Sequence, residues 1–239
     1  MFIKNKNVLI TGAANRIGRE IAIHLSEIGM NIALHYNNSE ENALKTLALI
    51  KKNNVKSDIF KADLSNENSC INLLENINKS LGEIPIIINN ASTFRKNTLE
   101  NTSIDEIKED YFVNIIAPFI MAQKIYKNKN LKQGKIINIT DWKTARGNRF
   151  SYGISKAGIF GLTKSLAISM APRFQVNEVA LGAILPPADS PNRTTKNIDL
   201  GPMKRVGKIS EVTSCIEMLI KNDFITGEKI NIDGGRHIF

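Results

Sequence analysis

Tyr152 and Lys156 stand four residues apart in Ser151-Tyr152-Gly153-Ile154-Ser155-Lys156. On a helix that spacing puts both side chains on one face. A free phenol, with a pKa of about 10, is a poor acid or base at neutral pH. An ammonium ~4 Å away at an effective dielectric of ~20 is worth about 4 kcal/mol, an upper bound of ~3 pKa units. The pair therefore predicts a phenol drawn down toward the range useful for proton transfer. A second constellation is Thr11-Gly12-Ala13-Ala14-Asn15-Arg16-Ile17-Gly18, between a short apolar strand and a helical stretch. A glycine at such a turn lets backbone approach a pyrophosphate, and the helix start offers free N–H groups and about half a positive charge. Gly18 allows close packing of the helix, so a dinucleotide is the expected ligand.

The elements that must position these residues alternate along the chain. The apolar run Val8–Ile10 reads as a strand, and Ile17, Ile21, Leu25 and Ile28 recur at helical steps before Gly29. Strands are then expected over residues 31–36, 58–62, 84–88, 135–139, 175–180 and 229–232. Helices are expected over 40–52, 67–81, 104–126, 151–170 and 212–220. Residues 183–207, rich in Pro, Asn and Thr, read as a substrate loop or lid. Strand–helix alternation predicts βαβ units, hence a Rossmann-like, doubly wound α/β fold with about seven parallel strands and helices on both faces. No internal repeat or composition break separates a second unit, so residues 1–239 read as one domain. Ligand is expected beyond the carboxyl ends of the strands, near the switch point between the first and fourth.

The composition narrows the possibilities. The 239 residues carry 32 Lys and Arg against 23 Asp and Glu, a net +9, with 42% hydrophobic residues, enough for a packed core. The bases are scattered, without a basic block or interleaved aromatics, so a solvated basic surface is expected rather than a nucleic-acid face. No run approaches the ~18 apolar residues of a membrane span. Two cysteines, Cys70 and Cys215, cannot build a disulfide scaffold or a four-cysteine metal site, and no metal is expected. A reducing, cytoplasmic setting is expected.

The glycine turn, Asn89-Asn90-Ala91-Ser92 after the fourth strand, Asn114 in the long helix and Tyr152-x-x-x-Lys156 follow one another in an order that resembles the short-chain dehydrogenases/reductases, across almost the whole chain. In most of that family the position of Arg16 is glycine. The second strand ends in His35-Tyr36-Asn37-Asn38-Ser39, without the carboxylate that usually bonds a ribose 2′-hydroxyl. A 2′-phosphate would meet donors there and at Arg16, so NADPH is expected over NADH. By resemblance the cofactor is held by Gly12, Asn15, Arg16, Ile17, Gly18, Tyr36, Asn37, Asn38, Ser39, by Asp63 and Leu64 after the third strand, by Asn90, Ala91 and Ser92, by Lys156, and by Gly182 and Ile184. Asn114 matches the helix asparagine that anchors a water and the lysine.

The family's serine thirteen residues before the tyrosine is Ile139 here, and Asp141 stands nearby. That feature, with Arg16, His35-Tyr36, Ser92-Thr93-Phe94 and the ending Asp233-Gly234-Gly235-Arg236-His237, resembles the pteridine and dihydromonapterin reductases. The expectation is hydride transfer to a C=N carbon of a pterin, with Tyr152, Asp141, Lys156 and Asn114 catalytic. Ser92, Phe94, Asp141, Tyr152 and Leu185 would meet the substrate, Phe94 by stacking on it. The alternatives are a 3-oxoacyl-carrier-protein reductase or other carbonyl reductase and, more remotely, a non-catalytic nucleotide sensor. The resemblance also implies a homotetramer, with the C-terminal Arg236–Phe239 reaching a neighbour's site.

Overall fold

The computed structural model describes residues 1–186 and 200–238. Most of the expected loop, residues 187–199, lies outside the described residues, as does Phe239. Seven parallel strands form one sheet: β1 (Asn7–Ile10), β2 (Asn31–Tyr36), β3 (Ser57–Lys61), β4 (Ile86–Asn89), β5 (Gly134–Asp141), β6 (Phe174–Leu181) and β7 (Lys229–Ile232), in the order β3-β2-β1-β4-β5-β6-β7. The chain runs outward from β1 through β2 to β3, then crosses to β4 on the other side of β1. That reversal opens the crevice at the carboxyl ends of β1 and β4.

Helices cover both faces because alternate strand residues are apolar on both. Val8 and Ile10 pack with Ile21 and Leu25 of α1 (Arg16–Glu27), Ala43 and Ile50 of α2 (Glu40–Lys51), and Val212 and Ile216 of α7 (Ile209–Lys221). Leu9 faces the other way, toward Leu73 and Ile77 of α3 (Glu67–Leu81), Met121 and Ile125 of α5 (Ala117–Lys127), and Leu166 and Met170 of α6 (Phe150–Met170). Local chemistry sets the ends. Asn66 accepts from Ser69 N to cap α3, and Ser103 and Glu106 form a reciprocal capping box at the start of α4 (Ile104–Tyr111).

The single helix expected over 104–126 is interrupted. Between α4 and α5 the residues Phe112–Ile116 form a π-helical turn. Pro118 accounts for it: proline has no N–H to give the carbonyl of Asn114 four residues earlier, so the ladder must shift. Strand and helix ends otherwise move by at most three residues, and β2 and α3 keep their expected bounds. The largest extensions are in β5, which runs on to Asp141, and in α7, which starts at Ile209.

Candidate active site

The cradle at the end of β1 is built by close approach. Gly12 has φ +63°, and a Cβ there would meet Ala91 Cα at 2.9 Å. A Cβ on Gly18 would lie 2.4 Å from Gly12 O and 2.5 Å from Asn90 Nδ2. Asn90 ties the two strand ends together, donating through Nδ2 to Thr11 O at 2.9 Å and Gly12 O at 3.1 Å. His35 supports the turn from below. Its Nδ1 accepts from Gly12 N at 3.1 Å, and its Nε2 lies 3.0 Å from Ala62 O. Burial pulls the imidazole down to about 4, so the ring is neutral at pH 7 and keeps an acceptor free for Gly12.

A cavity of about 960 Å³ opens above this cradle, at the strand ends where ligand was expected. Of the expected cofactor residues, Gly12, Asn15, Arg16, Ile17, Gly18 and Asn37 line it, with Asp63 and Leu64 at one end. Asn90, Ala91, Ser92, Lys156, Gly182 and Ile184 line it as well. Tyr36, Asn38 and Ser39 do not. Tyr36 is packed in the core beside β1, and the turn after Asn37 carries Asn38 and Ser39 away toward α2. Arg16 has φ +55° and donates through its guanidinium to Pro186 O, which bridges the glycine turn to the segment after β6.

Tyr152 meets Asp141 and Phe94, and all three line the cavity, as does Leu185. The Tyr152 hydroxyl donates to Asp141 Oδ2 at 3.3 Å, and Arg146 pairs with Asp141 Oδ1 at 2.7 Å. The shift of the phenol is opposite to the expectation. Burial and the neighbouring Asp141 carboxylate both raise Tyr152 above the ordinary tyrosine value, and the Arg146 and Arg149 charges only partly oppose them. Lys156 lies 5.9 Å from the Tyr152 ring centre and donates to Ile139 O at 3.0 Å. Its own burial lowers the ammonium to about 8, against the pull of Asp141 and Glu178. In this structure Tyr152 is thus a protonated phenol aimed at a carboxylate, with a lysine behind it.

Asn114 does not line the cavity or bond Lys156. It sits buried in the π-helical turn, where Nδ2 donates to Ser155 Oγ at 2.8 Å and Oδ1 has no partner among the described residues. Phe94 lies edge-on to Tyr152, with ring centres 5.0 Å apart. The Arg149 guanidinium lies 3.5 Å from the Phe94 ring centre, so one face of that ring is already covered. Ser92 turns its hydroxyl to Thr93 O at 2.8 Å.

Three residues that shape this end escaped sequence reasoning. Arg146 holds Asp141, Arg149 holds Phe94, and the buried Asp110 accepts from Ser151 Oγ at 2.5 Å and from Thr93, fixing the first turn of α6. Arg236 stands at this end as well. It lines this chain's own cavity, with its guanidinium 4.3 Å from the Trp142 ring centre. Among the small residues of α6, Gly153 serves an intrachain approach, since a Cβ would lie 2.2 Å from Thr144 O, whereas Gly161 faces open space. Among the described residues there is no cluster able to hold a metal ion, and no helix is long and apolar enough to cross a membrane.

Comparison with known proteins agrees with this architecture. Residues 12–237 match the profile of a family described as enoyl-(acyl carrier protein) reductase. The 3-oxoacyl-[acyl-carrier-protein] reductase of Staphylococcus epidermidis is 30% identical, covering 98% of this chain and all of the relative. That of Buchnera aphidicola is 33% identical over 98% of each chain. Among solved structures, the FolM alternative dihydrofolate reductase 1 of Brucella canis, complexed with NADP, superposes with a TM-score of 0.89. It is 28% identical, over all of this chain and 97% of its own.

Proposed function

The chain belongs to the short-chain dehydrogenase/reductase family of oxidoreductases, and on that premise we propose that it is an NADPH-dependent reductase of a pterin. The observation that carries the substrate assignment is the Tyr152–Asp141 hydrogen bond. The tyrosine meets a carboxylate, while Ile139 fills the family's serine position.

The residues present fit a dinucleotide. Gly12 and Gly18 let the turn and the helix start approach closely where any Cβ would collide, and while the Gly12 N–H is spent on His35, the N–H groups of the first turn of α1 suit a pyrophosphate. Gly12, Asn15, Ile17 and Gly18 would hold the diphosphate, Arg16 and Asn37 the 2′-phosphate, Asp63 and Leu64 the adenine, and Asn90, Ala91 and Lys156 the nicotinamide half. The cofactor, when bound, supplies the hydride. Tyr152 gives its proton to the substrate nitrogen, and Asp141 orients the hydroxyl for that transfer. The Asn114 carbonyl, denied its helical partner by Pro118, is an acceptor for the water from which the phenol is reprotonated. Phe94 offers its uncovered face to a flat ring, with Leu185 and Ser92 beside it.

The assembly belongs to the same proposal. Tyr111, Ile116 and Phe119 leave apolar surface exposed along α4, the π-helical turn and α5, which suits a helix-lined interface of a homotetramer. Free Cys70 and Cys215 suit a reducing cytoplasm. Reduction of a 3-oxoacyl thioester is the second reading, favoured by the names of the curated relatives. Following NADPH absorbance with a dihydropterin and with acetoacetyl thioesters separates the two. Turnover of the thioesters alone overturns the pterin assignment.

A further inference from the structure

We propose that the Trp142–Arg236 pair forms a receiving end for an oxyanion on the substrate, so that the enzyme selects substrates carrying a negatively charged tail. The proposal deepens the reductase reading and rests on it only for which ring or carbonyl is reduced.

The Arg236 guanidinium lies over the indole of Trp142, 4.3 Å from the ring centre, and both residues line the large cavity. A cation–π contact engages the charge of a guanidinium without using up its N–H donors. Among the described residues Arg236 makes no hydrogen bond or ion pair, and its Nε is buried without a partner. A buried charged donor left unmet costs free energy, and a carboxylate or phosphate oxygen meets it well, often through two parallel bonds. Lys143 brings a second cation to the same indole, 5.9 Å from its centre, and also lines the cavity. By contrast Arg146 is spent on Asp141, and the nearby Glu109 is spent on Arg95. The unspent charge at this end is therefore positive. Trp142, which carries it, follows Asp141 directly, so the charge lies beside the proposed proton-transfer groups rather than at the glycine turn. A pterin bearing a glutamyl tail and an acyl thioester bearing a phosphate would both supply the oxyanion.

The test compares kcat/KM for matched pairs at fixed NADPH: dihydrofolate against its bis-amide, and acetoacetyl-coenzyme A against the uncharged acetoacetyl N-acetylcysteamine. The wild-type protein is expected to favour the charged member of the pair it turns over, and to lose that preference as ionic strength rises. Arg236→Met should reduce the charged-to-neutral ratio at least tenfold, through KM, and Arg236→Lys should restore part of it. The pair that responds identifies the source of the oxyanion, and the preference is readable on thioesters even where the pterin assignment fails. Inhibition of the wild-type protein by p-aminobenzoylglutamate, weakened by salt, supports the site without any variant. No preference in the wild type, or equal losses for both members of a pair in Arg236→Met, overturns the proposal.

Discussion

The hydroxyl of Tyr152 reaches one oxygen of the Asp141 carboxylate at 3.3 Å, while Arg146 holds the other oxygen at 2.7 Å. Proton transfer at this end therefore depends on a coupled pair fixed from outside. Tyr152→Phe should lower kcat about 100-fold or more, the usual scale for loss of a positioned acid. Asp141→Asn keeps the shape and should lower kcat by a smaller factor. Stopped-flow single turnovers with saturating NADPH check both. A Phe variant with wild-type kcat would end the assignment of Tyr152 as the acid.

The pH dependence should carry the signature of Lys156. Its ammonium is lowered to about 8, so its charge is lost as pH rises through that value instead of near 10.5. Because kcat/KM reports ionisations of the free enzyme, that parameter should fall as pH rises past about 8. Lys156→Met should be weakly active, without that limb.

Cofactor choice should rest on Arg16. Arg16→Ala keeps the φ +55° strain of a non-glycine residue at that position, so it reads the side chain alone. It should raise the KM for NADPH about tenfold, the scale of one charge-assisted contact, and leave NADH nearly unchanged. Steady-state titration of both cofactors measures it, and equal effects on the two would contradict a contact to the 2′-phosphate.

His35 predicts an acid-sensitive fold. Its pKa falls from 6.5 to about 4 on folding, so the unfolded chain binds the extra proton between those values. The stabilising contribution is complete above pH 6.5 and is lost as pH falls toward 4, about 3 kcal/mol over that span at about 1.4 kcal/mol per unit. His35→Asn should be less stable at pH 7 and show a shallower loss below pH 6.5. Urea titrations at pH 7 and 4.5 give the comparison.

Gly18→Ala should damage fold and cofactor site together. The added Cβ would lie 2.4 Å from Gly12 O, which is backbone, and 2.5 Å from Asn90 Nδ2, which is tied to Thr11 O and Gly12 O. A destabilisation of about 1–3 kcal/mol is expected from such overpacking. The stabilisation that NADPH gives in thermal melts should shrink with it.

The parts of this site legible in sequence are those whose geometry is local. Tyr152 and Lys156 share a helix face by spacing, and the glycine turn lies between one strand and the next helix. The parallel, doubly wound sheet followed from alternation and handedness. What escaped depends on partners far along the chain: Asp110 with Ser151, Arg149 with Phe94, and Trp142 with Arg236. No period in a sequence reports such pairings. Spacing also does not tell that Asn37 lines the cavity while Tyr36, Asn38 and Ser39 fall outside its lining. The direction of the Tyr152 shift required knowing its burial and the position of Asp141. Pro118 was a readable signal for the break in the long helix.

Phe94 has a guanidinium on one side of its ring and the edge of Tyr152 beside it. A flat substrate can lie only against the remaining side, and only its far surface is then open to attack. Under the proposed reaction the reduced carbon is approached from a single direction. That direction of approach is set by a cation that never touches the substrate.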